Sequence, residues 1–154
     1  MGNGFLIKCE RCGYEFTCFT GIGMMFPVVY KDIVTDIQNG KYGEAHKAFM
    51  AEHPDAVVNC ERKFYMCSEC GAIDTARDLS LYLPKESEPA PAYVMPNELR
   101  GKYKKCLAYD HKCTSCNAVM KAASLPKEVE AGNVKCPSCE KPFEVPEIIE
   151  VNWD

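Results

Sequence analysis

The chain has 154 residues, of which 11 are cysteines, and its formal net charge at pH 7 is −4. This length allows one domain or two small ones, and domains of about 60 residues often need a metal to be stable. The acidic total argues against broad binding of phosphate backbones. No stretch of about 18 consecutive apolar residues occurs, so we expect a cytoplasmic protein with no membrane contact.

Eight of the cysteines form four Cys-x-x-Cys pairs, which we call knuckles. The knuckles are Cys9/Cys12, Cys67/Cys70, Cys113/Cys116 and Cys136/Cys139. Two thiolates in one knuckle can bind a metal ion from a tight turn, and a tetrahedral site needs two knuckles. The amino terminus lacks the charged start and long apolar run of a secretion signal, which favours metal binding over disulfides. Four knuckles therefore predict two metal sites with four cysteine ligands each.

The simplest pairing joins knuckles that are neighbours along the chain. It gives one site of Cys9, Cys12, Cys67 and Cys70 and a second site of Cys113, Cys116, Cys136 and Cys139. The 19 residues between Cys116 and Cys136 are typical of two knuckles that share zinc. The 54 residues between Cys12 and Cys67 require an insertion. The two pairings that exchange knuckles between these sites remain open alternatives.

The ligand type predicts what the sites do. Thiolates favour zinc, iron or copper(I), and a closed tetrahedron of four sulfur atoms leaves no position for water or substrate. We find no phosphate loop, nucleophile elbow or zinc-hydrolase motif, so we expect no enzymatic activity. Gly13 and Gly71 each follow a knuckle, where the backbone turns tightly, and Asn117 tolerates the same conformation. Glu140 fits this position less well and predicts a looser fourth knuckle.

Alternating and apolar segments predict strands on both sides of the knuckles. We expect strands at 5–8, 15–20, 57–66, 73–83, 103–109 and 118–125, a polar turn region at 126–133 and a final extended segment at 142–151. Asp74 and Asp78 are expected on a solvated strand face. His111 is expected to be satisfied or exposed.

A helical hairpin is predicted between the first two knuckles, at about 30–53. Segments 30–38 and 42–52 have helical spacing, with Ala45, Ala48 and Phe49 as the buried stripe of the second helix and His46 and His53 in solvent. The apolar run 24–29 is expected to cover the first metal site. An exposed methionine-rich patch that binds a partner is the alternative.

Segment 84–96 contains four prolines together with acidic residues, which is typical of a stiff linker. We therefore expect a zinc-ribbon-like module at 1–84, a linker at 85–99 and a carboxy-terminal zinc ribbon at 100–154. The predicted fold class is a small, metal-stabilised α+β protein with two ribbon-like β modules, the first carrying the helical hairpin as an insertion.

The three remaining cysteines are expected to be small buried hydrophobic residues, with an extra ligand or reactive thiol as the alternative. Cys60 and Cys106 each precede a knuckle by seven residues, which is a weak internal repeat, and Cys18 follows the first knuckle. A separation of seven along a strand places Cys60 and Cys106 on the face opposite the first ligand.

The knuckles resemble two known groups. CERCGYEF and FYMCSECGA resemble the zinc-ribbon and rubredoxin-like group, and CTSC with CPSC resembles an ordinary zinc ribbon. In rubredoxins a Cys-x-x-Cys-Gly-Tyr knuckle and a Cys-Pro-x-Cys-Gly knuckle hold one redox iron. The residues that match are Cys9, Cys12, Gly13, Tyr14, Cys67, Cys70 and Gly71, whereas Ser68 replaces the proline. The resemblance implies two bound zinc ions, with iron as an alternative at the site of Cys9, Cys12, Cys67 and Cys70.

These observations favour a non-enzymatic zinc-binding protein whose ribbon modules contact a macromolecular partner. A protein partner is favoured because the chain is acidic. Nucleic acid is the alternative partner, through basic residues beside an aromatic one: Arg100, Lys102, Tyr103, Lys104 and Lys105. A rubredoxin-like electron carrier or a thiol redox sensor is the alternative function. The sequence does not predict the oligomeric state.

Overall fold

The computed structural model describes residues 2–86, 89–143 and 149–153. In chain order its elements are β1 (Gly2–Lys8), β2 (Glu15–Thr20), α1 (Phe26–Gln38), α2 (Glu44–Glu52), β3 (Val57–Val58), β4 (Arg62–Met66), β5 (Ile73–Arg77), β6 (Leu81–Pro84), α3 (Pro96–Lys102), β7 (Tyr103–Leu107), β8 (Lys121–Ala123), α4 (Leu125–Glu130) and β9 (Ile149–Trp153). Within the described residues, no helix is both long enough and apolar enough to cross a membrane. The small α+β class predicted from the sequence is confirmed.

The chain forms two compact units, and neither is continuous in sequence. Unit 1 contains the described parts of Met1–Gly23, Arg62–Ala76 and Asp110–Asp154, and unit 2 contains those of Met24–Glu61 and Arg77–Tyr109. This division differs from the predicted modules at 1–84 and 100–154. The expected linker at 85–99 lies within unit 2, where Val94 is buried and packs with Val57 and Leu99. Ser87 and Glu88 of that segment lie outside the described residues.

Unit 1 is built from two three-stranded sheets, with strand orders β2-β1-β9 and β5-β4-β8. The β1 and β2 strands pair antiparallel, with Lys8 opposite Glu15, so the first knuckle is the turn of a hairpin. The hydrophobic core of this unit collects residues from both ends of the chain: Phe5, Ile7, Cys9, Cys18, Phe64, Leu125, Val129, Val134, Cys136 and Phe143. Two of its members, Cys9 and Cys136, belong to knuckles.

Unit 2 combines the helical hairpin with a sheet of order β3-β6-β7. The predicted helices are present as α1 and α2, although α1 begins at Phe26 because Pro27 fits the first helical turn. The predicted burial of 24–29 is wrong for four residues, since Pro27 is exposed and Met24, Met25 and Val28 are 75%, 63% and 52% exposed. Phe26, between them, is buried and turns its ring edge toward Tyr93.

The second helix buries a histidine, and of the predicted apolar stripe Ala48 and Phe49 are half-buried. Ala45 is exposed, while His46 is 6% exposed and packs edge to face on Tyr109. Its Nε2 atom has no hydrogen-bond partner among the described residues. Burial lowers the pKa of His46, and a hydrogen bond with the backbone of Leu79 acts in the opposite direction. The expectation that His46 is solvated is therefore wrong.

Two long strands expected from the sequence are each divided in the structure. The predicted strand 57–66 becomes β3 and β4, and the predicted strand 73–83 becomes β5 and β6, in different sheets. A buried polar network lies at the break: Asn59 Nδ2 donates to Asp78, and the Ser80 amide donates to the same carboxylate. Asp78 is 6% exposed, so its expected place on a solvated face is wrong.

The carboxy-terminal part of unit 1 contains a short helix that the sequence did not predict. The expected polar turn region 126–133 contains α4, which starts at Leu125 and buries both Leu125 and Val129 in the core. Pro126 in the first turn is compatible with a helix start. Within the expected segment 142–151, residues 144–148 lie outside the described residues.

Candidate metal centres

All four knuckles have the same main-chain geometry. In each, the amide of the first cysteine donates to the carbonyl five residues later, and the amide four residues after that cysteine donates back to its carbonyl. The eight hydrogen bonds span 2.7–3.0 Å between nitrogen and oxygen. This arrangement turns the chain within six residues and directs both sulfur atoms to one side. The local sequence therefore determines the shape of each knuckle.

The turn requires a left-handed residue immediately after the second cysteine. The φ angles there are 73° at Gly13, 72° at Gly71, 62° at Asn117 and 59° at Glu140. Glycine adopts this conformation without strain, and asparagine tolerates it better than most residues. The prediction of a looser fourth knuckle is wrong, because the knuckle with Glu140 keeps both hydrogen bonds at 2.8 Å.

The four knuckles meet in two groups of four cysteines. The outer site contains Cys9, Cys12, Cys136 and Cys139, and the inner site contains Cys67, Cys70, Cys113 and Cys116. In each group the sulfur atoms lie within 4.8 Å of one another. The predicted pairing of chain neighbours is therefore wrong, and one of the exchanged pairings is found. All eight cysteines predicted as ligands lie in these two groups.

Strand pairing explains why distant knuckles meet. β4 pairs with β8 antiparallel, with Met66 opposite Lys121, so the knuckles after Met66 and before Lys121 lie side by side. Cys67 and Cys113 then pack in one small cluster with Tyr65 and Met120. The outer site forms in the main core of unit 1, which contains Cys9 and Cys136. Separation along the chain does not limit such contacts.

The separations between sulfur atoms fit a tetrahedral metal ion. In the outer site, Cys9 Sγ lies 3.7 Å from Cys139 Sγ, and Cys12 Sγ lies 3.5 Å from Cys136 Sγ. The corresponding distances in the inner site are 3.4 Å and 3.6 Å. A tetrahedron with zinc–sulfur bonds of about 2.3 Å places its sulfur atoms about 3.8 Å apart. Both sites could therefore hold a metal ion after a small expansion.

The two cysteines of a knuckle differ in exposure. The first cysteine is buried in all four knuckles, whereas the second is exposed in three and half-buried at Cys139. Each site thus has one side against the core and one side toward solvent. A metal ion there would be held by four sulfur atoms.

The inner site favours the thiolate form of its buried cysteines. Amide hydrogens of Cys116 and Ser115 point at the Cys113 sulfur and lower its pKa to about 6. The amide of Cys70 lowers the pKa of Cys67 in the same way. The Ala118 amide also lowers the pKa of Cys116, but hydrogen bonding with the thiols of Cys67 and Cys70 outweighs it and raises that pKa to about 12. Metal binding would replace the shared protons.

His111 lies beside the inner site without belonging to it. Its Nε2 atom lies 2.9 Å from Oδ2 of Asp74, and its ring packs against Tyr65 at 4.8 Å between centroids. The backbone carbonyl of His111 accepts a hydrogen bond from the Met120 amide. His111 is therefore a satisfied histidine, as the sequence indicated. Its partner Asp74 could not be identified from spacing, because 37 residues separate the two.

The three cysteines outside the knuckles belong to neither site. Cys18 and Cys60 are buried as predicted, and burial raises the pKa of each thiol to about 12. Cys106 is exposed, so its predicted burial is wrong. The pairing of β6 with β7 shifts register between Leu81 and Tyr82, which changes the face on which Cys106 lies.

The residues proposed for nucleic-acid contact lie in unit 2, apart from both metal sites in sequence. Arg100 and Lys102 are on α3, and Tyr103, Lys104 and Lys105 begin β7. The four basic side chains are exposed, whereas Tyr103 is half-buried.

The two groups of four cysteines are candidate metal centres, and both are consistent with zinc-ribbon-like sites. No protein-family model, curated protein or solved structure matches the chain. The class therefore rests on the geometry of the knuckles alone.

Proposed function

We propose that the protein is a non-enzymatic zinc protein in which two structural four-cysteine sites stabilise unit 1 and allow the molecule to bind a macromolecular partner. The observation that supports this most directly is the closed set of four sulfur atoms at each site. Such a set has no open ligand position for catalysis. A structural zinc site contributes on the order of 10 kcal/mol or more to folding.

Zinc is favoured over the other thiophilic metals because a structural site needs no change of oxidation state, and zinc has no redox chemistry. A protein partner is favoured over nucleic acid because the chain is acidic and four thiolates around a divalent ion leave each filled site with a charge of about −2.

Native mass spectrometry of the purified protein tests the sites. We expect two zinc ions per chain, one zinc ion when Cys12 and Cys139 are both replaced by serine, and two zinc ions in the control Cys106→Ser. The control removes an exposed thiol that belongs to neither site. Purified wild-type protein without bound metal, and with unchanged circular dichroism after chelation, would refute the proposal.

Iron at the outer site is the second candidate, and one observation favours it. The observed pairing brings Cys12-Gly13-Tyr14 together with Cys136-Pro137, so this site contains the first rubredoxin knuckle and the proline of the second, although Glu140 replaces the glycine of the second. The site predicted to hold iron from the sequence, with Cys67 and Cys70, does not form. A red protein with one iron ion after growth in iron-rich medium would favour electron transfer, and a colourless protein with two zinc ions would exclude it.

A further inference from the structure

Unit 2 exposes a cluster of positive charge that the metal sites do not explain. The cluster contains five exposed basic residues from the end of β6, from α3 and from β7: Lys85, Arg100, Lys102, Lys104 and Lys105. We call it the β7 cationic surface. Because the whole chain has a net charge of −4, the remaining surface is more acidic than the total indicates. Charge of this kind, concentrated on one region of an acidic protein, selects partners by electrostatic attraction.

Three of these lysines are held in place by neighbours. Lys85 Nζ donates to the Gly101 carbonyl at 2.8 Å, and Lys102 Nζ lies 3.6 Å from Glu98. Lys105 Nζ lies 5.7 Å from the centroid of the Tyr82 ring. Ordered cations lose less side-chain entropy when a ligand binds.

The other two cations have no acidic partner among the described residues. Within the described part of the chain, neither Arg100 nor Lys104 forms an ion pair with an acidic residue. Arg100 and Lys104 stand in sequence on either side of Gly101, Lys102 and Tyr103, which line a groove of about 260 Å³. The complete lining of this groove is Pro84, Lys85, Glu86, Gly101, Lys102 and Tyr103. The groove could accept one carboxylate-bearing side chain between its two lysines.

The strand beside the groove lies at the edge of its sheet. β7 is the last strand of the sheet β3-β6-β7 in the described residues, so its outer edge has main-chain donors and acceptors that no strand there pairs. Lysines on an edge strand repel a second copy of the same strand, but they attract an acidic strand of another protein. The register shift between Leu81 and Tyr82 leaves only Tyr103 to Lys105 as a regular strand edge. Because so short an edge offers few main-chain hydrogen bonds, charge must supply much of the selectivity for a partner.

We propose that the β7 cationic surface binds an extended acidic segment of a partner protein, which places carboxylates on Arg100 and Lys104 and adds a short strand to β7. This inference rests on the proposed function, since it identifies the partner that the zinc-stabilised protein binds. Nucleic acid is disfavoured because Tyr82 and Tyr103 are half-buried in the cluster around Leu99, which leaves little aromatic face for stacking bases.

Fluorescence anisotropy with a labelled peptide tests the proposal on the zinc-loaded protein. The probe is a peptide of about ten residues that alternates glutamate with threonine, and the matched control peptide has glutamine in place of glutamate. We expect binding of the glutamate peptide only, and an affinity that falls at least about tenfold between roughly 50 and 300 mM salt.

Charge-reversal variants locate the site. The double variant Arg100→Glu/Lys104→Glu should weaken peptide binding at least about tenfold. The control Lys31→Glu/Lys47→Glu makes the same charge change on α1 and α2, and it should weaken peptide binding less than about twofold. Equal losses in the two double variants would overturn the proposal. Tighter binding of a single-stranded oligonucleotide than of the peptide would also overturn it, as would a salt-sensitive dimer that excludes the peptide, because the occupant would then be nucleic acid or a second copy.

Zinc content is measured on the same samples. If all variants keep two zinc ions and the peptide does not bind, the inference about the partner fails while the proposed zinc sites stand. If zinc is absent from the wild-type protein, the proposed function itself fails.

Discussion

Removal of the fourth knuckle is the sharpest test of how the metal sites are assembled. In the variant Cys136→Ser/Cys139→Ser, the outer site keeps only Cys9 and Cys12, while the inner site keeps all four of its ligands. We therefore expect the zinc content to fall from two ions to one. A complete structural site contributes about 10–16 kcal/mol, which is comparable to the total stability of a typical domain, so the core around Cys9 should unfold.

Alkylation followed by peptide mass spectrometry shows which thiols lose protection. In the variant, Cys9 and Cys12 should react rapidly with iodoacetamide, while Cys113 and Cys116 stay protected by the remaining metal ion. The reciprocal variant Cys113→Ser/Cys116→Ser is the control, and it should expose Cys67 and Cys70 instead. Reaction of Cys113 and Cys116 in the first variant would refute the nested pairing, because those thiols would then have shared their metal with the deleted knuckle.

Three further predictions concern single residues. Glu140→Gly should raise the free energy of unfolding, measured in urea at fixed free zinc, by up to about 1 kcal/mol, because glycine adopts the left-handed conformation without strain. Gly13→Ala should lower the free energy of unfolding by a similar amount. Backbone strain alone would cause this loss, since no atom lies within 4 Å of the added Cβ. No measurable change in either variant would count against the knuckle geometry. The pKa of His46 is lowered in the folded state, so the unfolded chain binds a proton more readily and stability should fall as the pH drops below about 6.5. The loss of stability at low pH should be smaller in His46→Leu than in the helix-end control His53→Leu. Identical pH profiles of stability in the two variants would contradict this prediction. Asp78→Ala should cost about 2–3 kcal/mol, measured by urea unfolding, because it leaves buried donors unpaired, and a change below about 0.5 kcal/mol would show that the network is dispensable.

Local features of this protein could be predicted from the sequence because neighbouring residues determine them. The first hairpin is an example: β2 covers the predicted 15–20, and the knuckle between β1 and β2 has its glycine at the left-handed position. The hairpin helices were also found, and Asn39-Gly40 ends the first of them. The eight candidate ligands could be selected for the same reason, since a knuckle is a property of six consecutive residues.

The pairing of the knuckles could not be predicted from spacing, because strand pairing between β4 and β8 determines it. The sequence does contain one signal. Cys60 and Cys106 precede their knuckles by the same seven residues, and those two knuckles are the halves of the inner site. The repeat therefore relates the two halves of one site.

The compact units also divide the chain differently from the predicted modules and linker. Proline and acidic residues at 84–96 predicted an exposed linker, but Val94 is buried with Val57 and Leu99, and Tyr93 packs against Phe26. Composition gives the average polarity of a segment, whereas packing depends on individual side chains. His46 illustrates the same limit, because its burial depends on Tyr109, which is 63 residues away in the chain.

The nesting of one site within the other has a consequence for how the protein is made. The inner site can close once the ribosome has released Cys116, but Cys9 and Cys12 must wait until Cys139 emerges. The two halves of the outer site are separated by 123 residues, against 42 for the inner site, which costs about 1 kcal/mol more in loop closure. At about 5–20 residues per second, the first two thiols remain without their partners for roughly ten seconds of translation. The segment that carries Cys9 and Cys12 is thus the part of this chain most dependent on a reducing environment and on free zinc being available when Cys139 emerges.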